Sequence, residues 1–350
     1  MLVGIFDPNR PFDSPDQTFP MLVNLRAQII RVNLDWFNVA KKRPLTPTDP
    51  KDPAYDWSRY DTMLLDAKKS KIQVLLTIYG TPRWANGTKK GLNRAPRQML
   101  FLKQFAFAAA KRYSGTFKRS DEVVLPAVRK WLAWNEPNNP IFLAPQWAKK
   151  NKNRYTQVAA KLYVGICTAI WSGVHQTKLR NEVVGCGATS PRGNNAPKSR
   201  RPSTSPAAFL AALKKFGLRG NQFDAYAHHP YYGRPSESPT TMPKDRTSVT
   251  LANIGVLTKL LTKFYGNKKL WVTEYGYQTR PPDKAFGVSW VNQAKYLTKA
   301  YAVARKNPRI TMMLWFLLRD EGRLSGWQSG FFSAAGKRKP AYNAFRRLPH

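Results

Sequence analysis

Acidic residues are scarce in this chain. Twenty aspartates and glutamates stand against 58 lysines and arginines, a formal net charge of +38 with a pI near 10.5. Such a field attracts polyanions, whether nucleic acid, uronic or teichoic polymers or an anionic surface. It also suits a merely solvated, soluble exterior. No helix-turn-helix, zinc-finger or RNA-recognition signature accompanies the charge, so no specific nucleic-acid partner is expected. Histidine is rare too: His175, His228, His229 and His350 have no ligand-like spacing with cysteines or acids, and no metal site is indicated. No glycine-rich phosphate cradle occurs, and no cofactor is expected. Cysteine is limited to Cys167, inside a helical apolar pattern, and Cys186, in a buried-strand pattern. Both read as small core residues, with one disulfide left open. No apolar run approaches bilayer-spanning length, and no basic segment with a long apolar region opens the chain at Met1. A cytoplasmic protein and an exported one whose presequence is absent from this sequence both fit.

What is present is a strict alternation. Strand-like runs fall at Leu2 to Phe6, Ile29 to Leu34, Gln73 to Ile78, Arg129 to Trp134, Glu182 to Cys186, Phe223 to His228, Lys269 to Glu274 and Ile310 to Leu317. Helical periodicity separates them, with helices expected near 21–27, 57–70, 102–113, 155–176, 206–216, 254–264 and 289–306, and a closing helix from Lys339. Eight strands and eight helices predict one parallel α/β domain over residues 1–350, a (β/α)8 barrel without repeat or linker.

Two of these strands end alike. Trp134-Asn135-Glu136-Pro137-Asn138 and Thr273-Glu274-Tyr275-Gly276 each run from an apolar strand into a glutamate flanked by aromatics. In a barrel of this kind the C-terminal strand ends converge, so Glu136 and Glu274 are predicted to face each other. Partly apolar surroundings raise a carboxyl pKa, which suits a general acid. The rival, that either is a surface charge, is weak because Glu122, Glu182, Glu237 and Glu321 lack this setting.

The two motifs, in this order, resemble the acid/base and nucleophile motifs of glycoside hydrolase clan A, most nearly families five and thirty-nine. The likeness runs over nearly the whole chain. It implies a retaining β-glycosidase with Glu136 as acid/base and Glu274 as nucleophile, acting on an oligo- or polysaccharide. It further implies that Asn135 contacts the sugar 2-hydroxyl and that Arg31, on the second strand, lies near the nucleophile. His229 and Tyr231 match the clan's His-x-Tyr element, with His228 facing the other way. Trp315 matches the sugar platform, followed in many members by a non-proline cis peptide, here Trp315–Phe316. Trp36, Trp84 and Trp327 are further candidates, for which core packing and sugar contact weigh equally. Against hydrolysis stand transglycosylation on the same scaffold, a non-catalytic carbohydrate-binding barrel and a cationic surface binder. An exported monomer is expected. Its basic strand-end loops favour an acidic or cell-surface glycan.

Overall fold

In the computed structural model, which describes residues 1–87, 91–152 and 154–349, eight parallel strands close into a barrel. They are β1 (Leu2–Phe6), β2 (Ile29–Asp35), β3 (Gln73–Tyr79), β4 (Lys130–Ala133), β5 (Val183–Thr189), β6 (Ala225–His228), β7 (Lys269–Tyr275) and β8 (Ile310–Phe316). Each pairs with the next, and β8 closes on β1 with Ile5 opposite Trp315. The surrounding helices are α1 (Pro15–Asn24), α2 (Ser58–Lys69), α3 (Met99–Arg112), α4 (Val158–His175), α5 (Pro206–Lys215), α6 (Gly255–Tyr265), α7 (Trp290–Arg305) and α8 (Pro340–Arg346).

Side chains alternate across each strand, so every strand feeds two cores. Ile29, Leu75, Leu132, Trp271, Met312, Leu314 and Phe316 fill the barrel interior. Ile30, Val32, Leu34, Val272, Met313 and Trp315 face outward into the helix layer. The closure is tied by Asp7, just past β1, whose Oδ2 accepts from the Leu318 amide at 3.2 Å and whose Oδ1 accepts from Asn9 and Arg10.

Several elements depart from the expected ones. α1 starts six residues earlier than predicted. Pro15 fits its first turn, and the buried faces of Phe19 and Leu22 carry the helix past the internal Pro20. A hairpin, Ala148–Asn151 with Arg154–Thr156, precedes α4. β5 continues to Thr189 through Gly187 (φ 103°) and Ala188 (φ 46°), with a register shift against β6. The cysteines are joined: Cys167 of α4 and Cys186 of β5 form a disulfide, Cα to Cα 5.9 Å. α4 also corrects the expectation about apolar runs. Its 18 residues are long and apolar enough, by length and composition alone, to span a bilayer. Here it packs on the barrel, burying Tyr163, Ile166, Cys167 and Ile170. Of the four histidines, His350 lies outside the described residues.

Candidate active site

Glu136 and Glu274 meet at the C-terminal mouth of the barrel. A carboxylate oxygen of each and a ring nitrogen of His229 lie within 4.8 Å of one another. Both glutamates line an open cavity of about 830 Å³.

The backbone around Glu136 is bent to bring it there. Trp134 (φ 67°) and Glu136 (φ 37°) both adopt left-handed conformations that cost non-glycine residues of order 1 kcal/mol or more. Hydrogen bonds hold the bend: the Trp134 amide donates to Ile78 O and the Glu136 amide to Ala188 O, each at 2.9 Å, and the Trp134 indole donates to Phe142 O at 2.7 Å. Glu274 arrives differently. Between Val272 and Tyr275, β7 holds one residue more than β8 does between Met313 and Trp315. This bulge turns Thr273 and Glu274 inward together, a device common beside active sites. Gly276 follows because a Cβ there would stand 2.5 Å from Phe316 O.

Arg31 joins the two motifs. Its side chain is fully buried in the barrel, with the guanidinium carbon 3.9 Å from the centre of the Phe6 ring. It donates from Nε to Thr77 Oγ1 (2.9 Å), from Nη1 to Thr273 O (3.0 Å) and from Nη2 to Asn135 Oδ1 (2.6 Å). Nη1 also stands 3.5 Å from Glu274 Oε2. Burial lowers the Arg31 pKa to about 10, so it stays a cation near neutrality. With its Oδ1 taken, Asn135 has its NH2 group unbonded among the described residues.

His229 lies between the glutamates, with Nδ1 3.0 Å from Glu136 Oε1 and 3.7 Å from Glu274 Oε2. Its Nε2 is 3.3 Å from Arg31 Nη1, which can only donate, so Nε2 accepts and Nδ1 carries the proton toward Glu136. Burial pushes the imidazole down to about 3, leaving it neutral. His228 turns away, bonded to Thr189 Oγ1 at 2.8 Å and Val249 O at 2.9 Å. The Tyr231 hydroxyl donates to Glu274 Oε1 at 2.9 Å.

Burial raises the Glu136 pKa to about 7, against the opposing influence of the Asn139 amide on Oε2 (3.1 Å) and of Arg31 and Arg192. Burial also raises Glu274, but the Arg31 cation and the Tyr231 hydroxyl resist the rise. Like charges this close disfavour a doubly ionised pair. The proton therefore rests on Glu136, and Glu274 is the anion. Three convergent donor atoms could also suit a cation, but the Arg31 guanidinium already places a positive charge on the same carboxylate.

Six of the predicted site residues thus converge: Glu136, Glu274, Asn135, Arg31, His229 and Tyr231. Trp327 also reaches the cleft, with its ring tilted on Tyr231 (5.7 Å) and edge-on to Phe316 (5.4 Å). The other tryptophans do not. Trp315 falls on the outward parity of β8, is fully buried, and donates its indole N–H to Ser329 O at 2.8 Å. Phe316 is the inward neighbour, and the non-proline cis bond is Phe316–Leu317, not Trp315–Phe316. Trp36 stacks on Phe105 in the helix layer (5.6 Å), and Trp84 packs edge-on against Trp36 while donating to Ala40 O. Neither lines the cleft.

Sequence reading passed over Asn138. It is fully buried, and its Nδ2 reaches Ser190 O, Arg192 O and Thr204 O while its Oδ1 accepts from the Ser190 amide. The signal lies in the motif itself, in an asparagine two positions past the glutamate.

No family model matches the chain, and no curated protein is detectably similar in sequence. Solved structures are similar. A family 39 glycoside hydrolase from the gut symbiont Bacteroides cellulosilyticus WH2 superposes with TM-score 0.67 at 18% identity, covering 98% of this chain and 62% of that one. A glucosidase from Croceicoccus marinus gives 0.67 at 16% identity, covering 99% and 66%. A monomeric β-xylosidase from Caulobacter crescentus CB15 gives 0.63 at 18%, covering 99% and 66%. The closed eight-stranded barrel is the fold that this chain shares with these structures. The resemblance to clan A read from the two motifs agrees with the fold of these neighbours. The chain spans about two thirds of their length, 62–66%.

Proposed function

We propose that the chain is a retaining β-glycoside hydrolase that cleaves an oligo- or polysaccharide by double displacement. The observation that carries this is the facing carboxyl pair, with oxygens within 4.8 Å. Retaining enzymes hold their carboxyls about 5–5.5 Å apart, whereas inverting ones leave room for a water at roughly 6.5–9.5 Å. Glu274 attacks the anomeric carbon while Glu136 gives its proton to the departing glycosidic oxygen, leaving a glycosyl ester on Glu274. Glu136, now a carboxylate, takes a proton from water as that water displaces Glu274 and restores both groups. The Asn135 amide is placed to donate to the sugar 2-hydroxyl. Tyr231 and Arg31 keep the nucleophile ionised and oriented, and His229 positions the Glu136 carboxyl. Trp327 offers the sugar an aromatic face, since C–H surfaces pack on electron-rich rings.

Both carboxyls and the side chains bonded to them come from one chain, which supports action as a monomer. The Cys167–Cys186 disulfide supports residence in an oxidising, extracytoplasmic compartment.

The test is turnover of a panel of aryl β-glycosides by the wild type, Glu136→Gln and Glu274→Gln. NMR of the first-formed anomer would accompany it, in the presence and absence of acceptor sugars. Release of the β-anomer by the wild type, lost in both variants, upholds the reading. A first-formed α-anomer would sink the double displacement. Transfer to acceptors in place of water would make the protein a transglycosylase. Binding without turnover in all three proteins would leave a carbohydrate-binding barrel.

A further inference from the structure

Two arginines of the β5–α5 loop stand on the wall of the cleft, beside Glu136. Arg192 and Arg201 both line the cavity and both are exposed. Among the described residues neither has a carboxylate within salt-bridge distance. Asp245 shares that wall, but its oxygens are occupied by the Thr247 amide (2.8 Å), the Thr247 hydroxyl and the Ser248 hydroxyl (2.8 Å).

The loop that carries these cations is not free to swing away. Arg192 O is held by Asn138 Nδ2 (3.4 Å) and Ser190 Oγ (3.1 Å), and its Nη1 donates to Gly233 O at 2.9 Å. Arg201 O accepts from Asn194 Nδ2 at 3.1 Å, and Asn194 Oδ1 accepts from the amides of Ala196 and Ser203. Thr204 is tied to Asn138 at both its amide and its carbonyl. Thus the side chain of Asn138, two residues from the proposed acid, fixes the arginine-bearing wall to the loop that carries Glu136. Guanidinium groups present several N–H donors in a planar fork that matches a carboxylate or a sulfate. Arg192 already feels the negative charge of Asp245 on the same wall, and beyond that both cations stand toward the cavity, where an anionic group on a ligand can meet their N–H donors.

We propose that Arg192 and Arg201 read a negative charge on the glycan, and that the substrate is a β-glycan bearing carboxylate or sulfate groups. This rests on the hydrolase reading. Arg192 also favours the ionised form of Glu136. An anion bound on Arg192 would cancel that influence and help Glu136 keep its proton until the bond breaks.

The experiment compares a soluble β-glucan and a β-xylan with their carboxymethylated and sulfated derivatives at low and high salt. It uses the wild type, Arg192→Gln, Arg201→Gln, and a control, Lys215→Gln with Lys259→Gln, that removes two exposed charges on the outer helices. The expected result is a kcat/KM ratio of acidic to neutral polymer of about tenfold or more at low salt, falling toward parity as salt screens the charges. Either cleft substitution should cut that ratio several-fold, and the control should not. The carboxymethyl and sulfate arms tell which anion the pair prefers. Arg201→Gln removes a side chain that makes no bond among the described residues, so a folding loss is not at issue there. Arg192→Gln should in addition move the alkaline limb of the pH profile upward, a change that a purely structural role would not produce. Equal or better cleavage of the neutral parents, or a ratio untouched by both substitutions, overturns the proposal. If no polymer is cleaved, the hydrolase reading has failed on its own account. Retardation of the same proteins in gels holding the same polymers then decides the charge reading: acid-selective retardation weakened by Arg192→Gln and by Arg201→Gln but not by the control upholds it, and retardation alike in all four proteins, or none, overturns it.

Discussion

Glu136 is kept where ionisation is unfavourable. Its pKa stands near 7 because burial penalises the charge more than Asn139, Arg31 and Arg192 relieve it. As the proposed acid it must be protonated, so kcat/KM is expected to fall as pH rises through about 7, with the acid limb set by Glu274. The same shift has a stability consequence of definite sign. Between the ordinary carboxyl value of 4.5 and about 7 the folded protein binds the proton that the unfolded chain has released, so stability declines with rising pH across that window and levels off above it. Glu136→Gln, which cannot ionise, should therefore be more stable than the wild type at pH 8, by about 2 kcal/mol, with the gap closing near pH 4. Urea denaturation at the two pH values checks this. A variant less stable than the wild type at pH 8 would mean that the carboxylate is better solvated than its burial implies.

At the scale of elements, Arg31 on β2 couples β3, β4 and β7 through Thr77, Asn135, Thr273 and Glu274. Charge and geometry can be separated. Arg31→Gln removes the cation that holds Glu274 ionised, so the acid limb of kcat/KM should move to higher pH. Arg31→Lys keeps a charge but cannot supply the fork, so it should lose about 10²-fold in kcat with a smaller movement of that limb. The disulfide couples another pair, α4 to β5. Replacing both Cys167 and Cys186 by alanine should cost roughly 3 kcal/mol in denaturant titrations while leaving kcat unchanged. How far such couplings could be read in advance depends on how local they are. The eight strands and the two glutamates were legible because strand-end motifs and apolar runs are local, whereas the place of Arg31 beside the second was implied only by the family resemblance. Which of Trp315 and Phe316 faces the cleft was not, since that depends on strand parity, set by pairing with β1 and by a bulge in β7. Trp36 and Trp84 were ambiguous for a related reason: an indole past a strand end can turn up to a ligand or down onto Phe105, and helix packing decides. The disulfide needed the Cα separation of α4 and β5, and the role of Asn138 needed the path of a loop more than fifty residues away.

The whole molecule carries far more cations than anions can neutralise. With 58 lysines and arginines against 20 acidic residues, 38 positive charges remain un-neutralised even if every acid cancels one cation. Several of the acids are committed elsewhere: Glu136 and Glu274 to the cleft, Asp320 to a buried pair with Lys339 at 2.7 Å, and Asp61 to Arg112 at 2.5 Å. The exposed pairs Arg59–Asp13 and Lys118–Glu122 join flexible side chains in water, where such contacts contribute about 0–1 kcal/mol. Long-range repulsion among the remaining cations therefore outweighs these local attractions, and it opposes the compact state. Screening relieves it: the Debye length falls from about 30 Å at 0.01 M salt to roughly 8 Å at 0.15 M, shorter than the distance across a barrel with its helices. Raising sodium chloride over that range at pH 7 should increase the melting temperature, the opposite of what a fold held by surface ion pairs would show. A melting temperature that falls with added salt would mean that attractive pairs dominate. In that case the excess charge is arranged to minimise its own repulsion.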